Sequence, residues 1–218
     1  MNVLKSKITN KRDIDWKRTI YISDLKIDPQ VLEMHKQRIN TVFANLPEEA
    51  RNQQLHNIVL RDNLFSKAMD ILVEYYDFEI DQADVEEFKK GILATFGPEK
   101  EQYADEIARK LIIKALIFAD LQETYDIKIT DQELVGILQD YYEQTNQPIR
   151  DFMQDKQRFE SAKATLLEEK TTAFIIDKFP RNLEELEKKL YQSLRKVQQE
   201  KKEQQEFINE VKSEESVK

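Results

Sequence analysis

One nine-residue pattern occurs twice in this chain, 49 residues apart, and it limits the fold to a repeated helical unit. Leu72–Ile80 reads LVEYYDFEI and Leu121–Ile129 reads LQETYDIKI, so Leu72/Leu121, Glu74/Glu123, Tyr76/Tyr125, Asp77/Asp126 and Ile80/Ile129 coincide. Each copy follows apolar residues at helical spacing and opens a new helix with a capping signal. Asp81 precedes Asp84 by three residues, and Thr130 precedes Glu133 by three. In both, the first side chain can accept from amides of the first turn, and the acidic group sits at the positive end of the helix. Pro98 and Pro148 then close the two units at nearly matching positions. The unit is helix, short Tyr-Asp-apolar-x-apolar link, capped helix, proline turn. Two such hairpins in tandem extend as arms more readily than they fuse into one sphere.

The rest of the chain agrees with an all-α fold. Three Gly and five Pro in 218 residues are about 4% of the chain, where average usage is about 12%; a turn-rich β fold is thereby disfavoured. Pro29, Pro47, Pro98, Pro148 and Pro180 act as punctuation, since each lacks an N–H and biases its predecessor away from helix. Between them lie stripes at spacings of three and four: Leu55, Ile58, Val59, Phe65, Ala68, Met69, Leu72 and Val73; Val85, Phe88, Ile92, Leu93 and Phe96; Ile107, Leu111, Ala115, Phe118 and Leu121. Two more run through Leu134, Ile137, Leu138, Tyr141 and Tyr142, and through Phe159, Ala162, Leu166, Leu167, Phe174 and Ile175. Six to eight helices are expected.

Three segments follow: a basic N-terminal segment, 1–28; a helical module, 29–180, with repeated arms near 64–97 and 113–147; and a charged C-terminal helix, 181–218. The first carries Lys5, Lys7, Lys11, Arg12, Lys17 and Arg18 against Asp13 and Asp15, and reads as a flexible arm or a contact for an acidic partner such as ribosomal RNA. The last keeps a narrow stripe of Leu183, Leu186, Leu190, Leu194 and Val197, then runs without an apolar residue from Gln198 to Glu206.

Composition narrows the chemistry. The formal charge of −8 argues against a general nucleic-acid binder, which needs a basic surface to displace counterions, and no DNA partner is expected. The absence of Cys removes disulfides, thiolate nucleophiles and Cys-ligated zinc, and two histidines, His35 and His56, leave little for a metal site or a triad. No P-loop is present. No metal, no cofactor and no enzymatic activity are expected. No apolar run approaches the ~20 residues that span a bilayer, so a cytoplasmic protein without a membrane partner is expected.

The stretch Ala108–Phe179, beginning ARKLIIKALIFADLQETYDIKITDQELVGIL and ending LLEEKTTAFIIDKF, resembles the C-terminal, substrate-binding region of bacterial trigger factor. It resembles more loosely the helical part of the periplasmic chaperone SurA. The likeness lies in the long arginine-led helix, the I-x-[VI]-[ST]-x-x-E-[LV] helix start and the closing L-x-E-K helix, and the repeat extends it back to about Leu64. The resemblance implies an elongated all-α body with two helical-hairpin arms around a cradle, acting as an ATP-independent holdase for unfolded or nascent polypeptides. The trigger-factor ribosome-docking loop, of G-F-R-x-G-K type, has no counterpart here, where the glycines are Gly91, Gly97 and Gly136. The β-rich prolyl-isomerase domain has none either. The ribosome therefore stays only a candidate partner, and a monomer or weak dimer is expected.

A holdase needs apolar surface that stays open, kept soluble by surrounding charge. Candidate client-binding residues are Phe88, Ile92, Leu93 and Phe96 on one arm, and Tyr141, Tyr142, Ile149, Phe152 and Met153 on the other, because aromatic and Met side chains adapt to many partners. The alternative is a helical adaptor for one specific protein, using the C-terminal segment.

Overall fold

The computed structural model describes residues 4–98, 101–145, 155–192 and 195. Within them the chain is predominantly helical, as the proline spacing requires. The helices are α1 (Pro29–Val42), α2 (Glu48–Val73), α3 (Gln82–Phe96), α4 (Glu101–Thr124), α5 (Asp131–Thr145) and α6 (Lys156–Lys178), with a further helical stretch over 184–192. Four short strands accompany them: β1 (Lys7–Lys11), β2 (Ile20–Tyr21), β3 (Tyr76–Glu79) and β4 (Arg181–Asn182).

Contacts divide the chain into two units, Met1–Arg18 with Phe65–Phe179, and Thr19–Leu64 with Pro180–Lys218. These cut across the segments 1–28, 29–180 and 181–218 read from the sequence. The reason is strand pairing between distant residues, which local composition does not encode.

In the first unit, β1 runs antiparallel to β3, with Lys7 opposite Glu79, Ile8 opposite Phe78 and Lys11 opposite Tyr76. Residues 7–11 are therefore a strand rather than a free arm. Helix α3 packs along α4 through Val85, Ile92, Ala104, Ala108 and Ile112, with Phe88, Leu93, Ile107 and Leu116 around them. Small Ala104 and Ala108 let the two helices approach, and larger side chains of α3 fill the space beside them. α6 packs against both α4 and α5.

Both predicted caps form. Asp81 is the N-cap of α3, its carboxylate accepting from Ala83 N at 2.8 Å. Thr130 and Glu133 make a reciprocal box at the start of α5: Glu133 N donates to Thr130 Oγ1 at 3.1 Å, and Thr130 N donates to Glu133 Oε2 at 2.8 Å. The links between helices differ. The first is β3. The second follows a turn in which Asp126 takes a left-handed φ of 51° and Ile127 N bonds back to Gln122 O at 3.0 Å, closing α4. Asp tolerates that conformation better than most side chains.

In the second unit, Asp28 caps α1 by accepting from Gln30 N at 2.8 Å, with Pro29 at the first helical position. β2 pairs with β4 in parallel, Ile20 opposite Arg181 and Tyr21 opposite Asn182. Asn63 ties the chain before α1 to α2, accepting from Lys26 N and donating to Lys26 O, each at 2.8 Å. Ile20, Ile22, Ile39, Val59, Leu64 and Leu186 are buried.

Candidate functional site

Helix α2 carries more apolar surface than one buried stripe uses. Leu64, Ala68, Ile71 and Leu72 are buried. Phe65, Met69 and Val73, four residues apart, form a second stripe that stays half-buried and walls an open groove of about 560 Å3. The opposite wall is Ile107, Leu111 and Ile113 of α4, and the rims carry Ser66 and Asp70 on α2 and Lys110 and Lys114 on α4. All of these residues belong to the first unit.

The position of α4 in this groove corrects the sequence reading. Ile107 and Leu111 have core-like spacing, but the buried positions of α4 are Ala104, Ala108, Ile112, Ile117, Phe118 and Leu121. Up to Ile112 the buried side lies about one residue on from the Ile107–Leu111 stripe, whereas Phe118 and Leu121 of the same stripe are buried as the spacing suggests. Leu111 is left 38% exposed.

Charge is placed at the groove's edge. The Lys114 ammonium lies 5.5 Å from the Phe65 ring centre and 5.2 Å from that of Phe118, and pairs with Glu168 of α6. Lys110 pairs with Glu106 on its own helix, at 2.5 Å and largely exposed. Exposed pairs of this kind contribute little, so Lys110 can turn to a ligand at small cost.

Four of the basic side chains of the N-terminal segment pair within the chain itself. Lys7 pairs with Glu79, Lys11 with Asp120, Arg12 with Asp77 and Arg18 with Glu74. The Arg18 hydrogen bonds hold the Glu74 carboxyl below its usual range. Tyr76, 3% exposed, donates its hydroxyl to Asp120 at 2.7 Å, and burial first, then that carboxylate, pushes the phenol up. Trp16 donates Nε1–H to the Tyr125 hydroxyl at 2.9 Å, and its ring meets Tyr125, Phe174 and Phe179.

The sequence-derived client residues separate. Ile92 is buried against α4, and Phe88 and Leu93 pack beside it, so these three hold the α3–α4 pair together. Phe96, at the end of α3, is 48% exposed. Tyr141 and Tyr142 lie on α5, and their side chains are outside the described residues; Ile149, Phe152 and Met153 are themselves outside them. The groove residues Phe65, Met69, Val73 and Leu111 were legible as helix stripes but not as a surface. The available signal was a surplus: α2 carries apolar residues on adjacent faces over 64–73, more than one neighbour covers.

Among the described residues, no group of three or more His, Asp or Glu is placed to hold a metal ion, and no helix is long and apolar enough to cross a membrane.

No protein-family model matches the chain. It is 36% identical over 177 residues to a Mycoplasma pneumoniae protein described as "Uncharacterized protein MG377 homolog", and 33% identical over 177 residues to "Uncharacterized protein MG377" of Mycoplasma genitalium. Each alignment covers 81% of this chain and 92% of the relative. A crystal structure of the hypothetical Mycoplasma protein MPN555 is similar, with a TM-score of 0.73 and 35% identity, over 82% of this chain and 92% of that one. By identity and by coverage, the chain belongs to the family of these Mycoplasma proteins.

Proposed function

We propose that this protein is an ATP-independent holdase, a chaperone that shields apolar segments of unfolded or nascent polypeptides, and that the α2–α4 groove is a principal client surface. The observation that carries this reading is the groove itself: about 560 Å3, walled by Phe65, Met69, Val73, Ile107, Leu111 and Ile113, and rimmed by charge. Apolar walls with Met and Phe accept varied sequences because they impose no strict hydrogen-bond geometry. Phe96, exposed at the end of α3, adds a second apolar contact, in the role of an arm tip. The resemblance of Ala108–Phe179 to the trigger-factor substrate-binding region supports the same function from sequence, together with its two arms and cradle, and a cytoplasmic setting suits nascent clients.

The test is aggregation suppression without nucleotide. Light scattering from two unrelated, thermally denatured client enzymes should fall as the protein is added in stoichiometric amounts, with no effect of ATP. Suppression of neither client, with a single protein recovered stoichiometrically from a pull-down, would replace the holdase with the adaptor.

A further inference from the structure

The N-terminal strand sits in the first unit as a bound peptide sits on its receptor. Residues 5–12 hydrogen-bond to partners 62 to 113 positions along the chain. At one end, Asp84 Oδ2 accepts from Lys5 N at 3.0 Å, Ser6 N at 2.7 Å and the Ser6 hydroxyl at 2.6 Å, while that hydroxyl accepts from Asp81 N at 2.9 Å. In the middle, β1 is the partner of β3 in a two-stranded sheet. At the other end, Arg12 N donates to Tyr75 O at 2.8 Å, and Lys11 Nζ donates to Asp120 at 2.7 Å and to Thr124 at 3.0 Å. Asp77 and Glu79 face Arg12 and Lys7 between these ends. One repeat later the counterpart of Asp84, Glu133, closes on Thr130 N of its own helix; Asp84, itself buried, serves a separate segment.

What holds the strand is mostly backbone. Within Lys7–Lys11 only Ile8 is half-buried and the other residues are exposed, so little apolar area is involved. The ion pairs of Lys7 and Arg12 are exposed as well and contribute little. The ladder to β3 and the amides on Asp84 can be supplied by any extended chain, which is the basis of recognition by strand addition. Selection comes from the hydroxyl seated between Asp81 N–H and Asp84, and from the bases that meet Asp77, Glu79 and Asp120. We infer that this track is a strand-accepting site for another polypeptide, filled in the closed protein by residues 5–12. The partner it fits is an extended basic segment with Ser or Thr where Ser6 stands and Lys or Arg five and six positions on. Exchange of one strand for the other conserves the ladder and the cap bonds, so it costs only the difference between the two. The site lies wholly in the first unit, shares no residue with the α2–α4 groove, and does not depend on the holdase reading.

The experiment uses the full chain and a fluorescein-labelled peptide LKSKITNKR, the sequence of residues 4–12. The chain has no Cys, so Lys7→Cys with Glu79→Cys, at directly opposed and exposed positions, introduces one disulfide. Oxidised, it holds the resident strand in place; reduced, it leaves the strand free to exchange. Fluorescence anisotropy should give the reduced form an affinity at least about tenfold above that of the oxidised form, a difference of about 1.4 kcal/mol. In the otherwise unaltered chain, Ser6→Ala weakens the resident strand and should bind the peptide several-fold more tightly than the parent does. A peptide with Ala in place of its Ser should lose that gain, and one with Glu at all its basic positions should not bind. Equal affinity of the oxidised and reduced forms would place the peptide elsewhere and overturn the inference. So would the lack of saturable binding to both the reduced form and Ser6→Ala. Oxidation that yields disulfide-linked dimers in place of closed monomers would show the strand of a second copy in the site, and would overturn the assignment to a different polypeptide.

Discussion

The carboxylate of Asp84 accepts from the backbone N–H of Ser6 at 2.7 Å and from its hydroxyl at 2.6 Å, across 78 residues of sequence. The same hydroxyl accepts from Asp81 N at 2.9 Å. Ser6 is thus inserted into a helix cap. One repeat later, Glu133 reaches Thr130 N directly at 2.8 Å; Asp84 is one methylene shorter, and the Ser6 hydroxyl bridges the gap. This contact anchors the N-terminal strand to α3.

Replacing Ser6 by Ala leaves Asp81 N–H without its acceptor and takes the hydroxyl from the buried Asp84 carboxylate, which keeps the backbone N–H groups of residues 5 and 6. Calorimetry should record a fall in Tm on the order of a few degrees, the scale of one unpaired buried group in a chain of this size. Adding Asp84→Glu to that variant should recover part of the loss, because the longer side chain can close the box as Glu133 does. An unchanged Tm for Ser6→Ala would show that the bridge contributes nothing.

Acid should weaken the fold through the same groups. Hydrogen bonds from the Ser6 side chain and backbone hold Asp84 below the usual carboxylate range, and the Thr130 backbone N–H, Lys170 and the Thr130 hydroxyl lower Glu133 to about 2. A folded pKa below the unfolded one gives stability that is present above the unfolded value, near ~4, and is lost as pH falls through the folded value. Urea midpoints should therefore decline between about pH 5 and about pH 2. Glu133→Gln should lower the midpoint at neutral pH and flatten that decline.

Leu111 and Leu121 share a stripe in the sequence but not in the structure. Leu121 is fully buried and Leu111 is 38% exposed. Leu121→Ala should cost about 2–5 kcal/mol, and Leu111→Ala less than about 1. Denaturant titration of the two variants checks both values.

That pair also marks how much was legible. The repeat, the caps at Asp81 and Thr130 and the helix-rich class follow from local signals, since capping and apolar spacing act within a turn or two. The phase of α4 does not, because Ala104 and Ala108 are buried for being small, while periodicity gives weight to large side chains such as Leu111. In sequence the N-terminal segment reads as a basic arm because its partners, Glu74, Asp77, Glu79 and Asp120, lie far along the chain. Ile92 passes for client surface in sequence because an apolar residue on a helix looks alike whether a neighbour covers it or a ligand does.

The strand Lys7–Lys11 should behave as folded structure even in salt. Its exposed ion pairs, Lys7 with Glu79 and Arg12 with Asp77, weaken at high ionic strength, but the β3 ladder and the Ser6–Asp84 contact are not screened in that way. Amide hydrogen exchange over 6–11 should stay slow in about 1 M salt, where the Debye length is near ~3 Å. Exchange at the rate of an open chain would contradict the pairing.

The most direct test of the central claim is ATP-free aggregation suppression by Leu111→Glu compared with Ile137→Glu. Both residues are exposed, at 38% and 48%, so both variants should fold, with circular dichroism and Tm close to the parent. If the groove holds clients, Leu111→Glu loses most of its suppression of light scattering and Ile137→Glu keeps it. If Leu111→Glu folds normally and suppresses aggregation as well as the parent, the groove is not where this protein meets its clients.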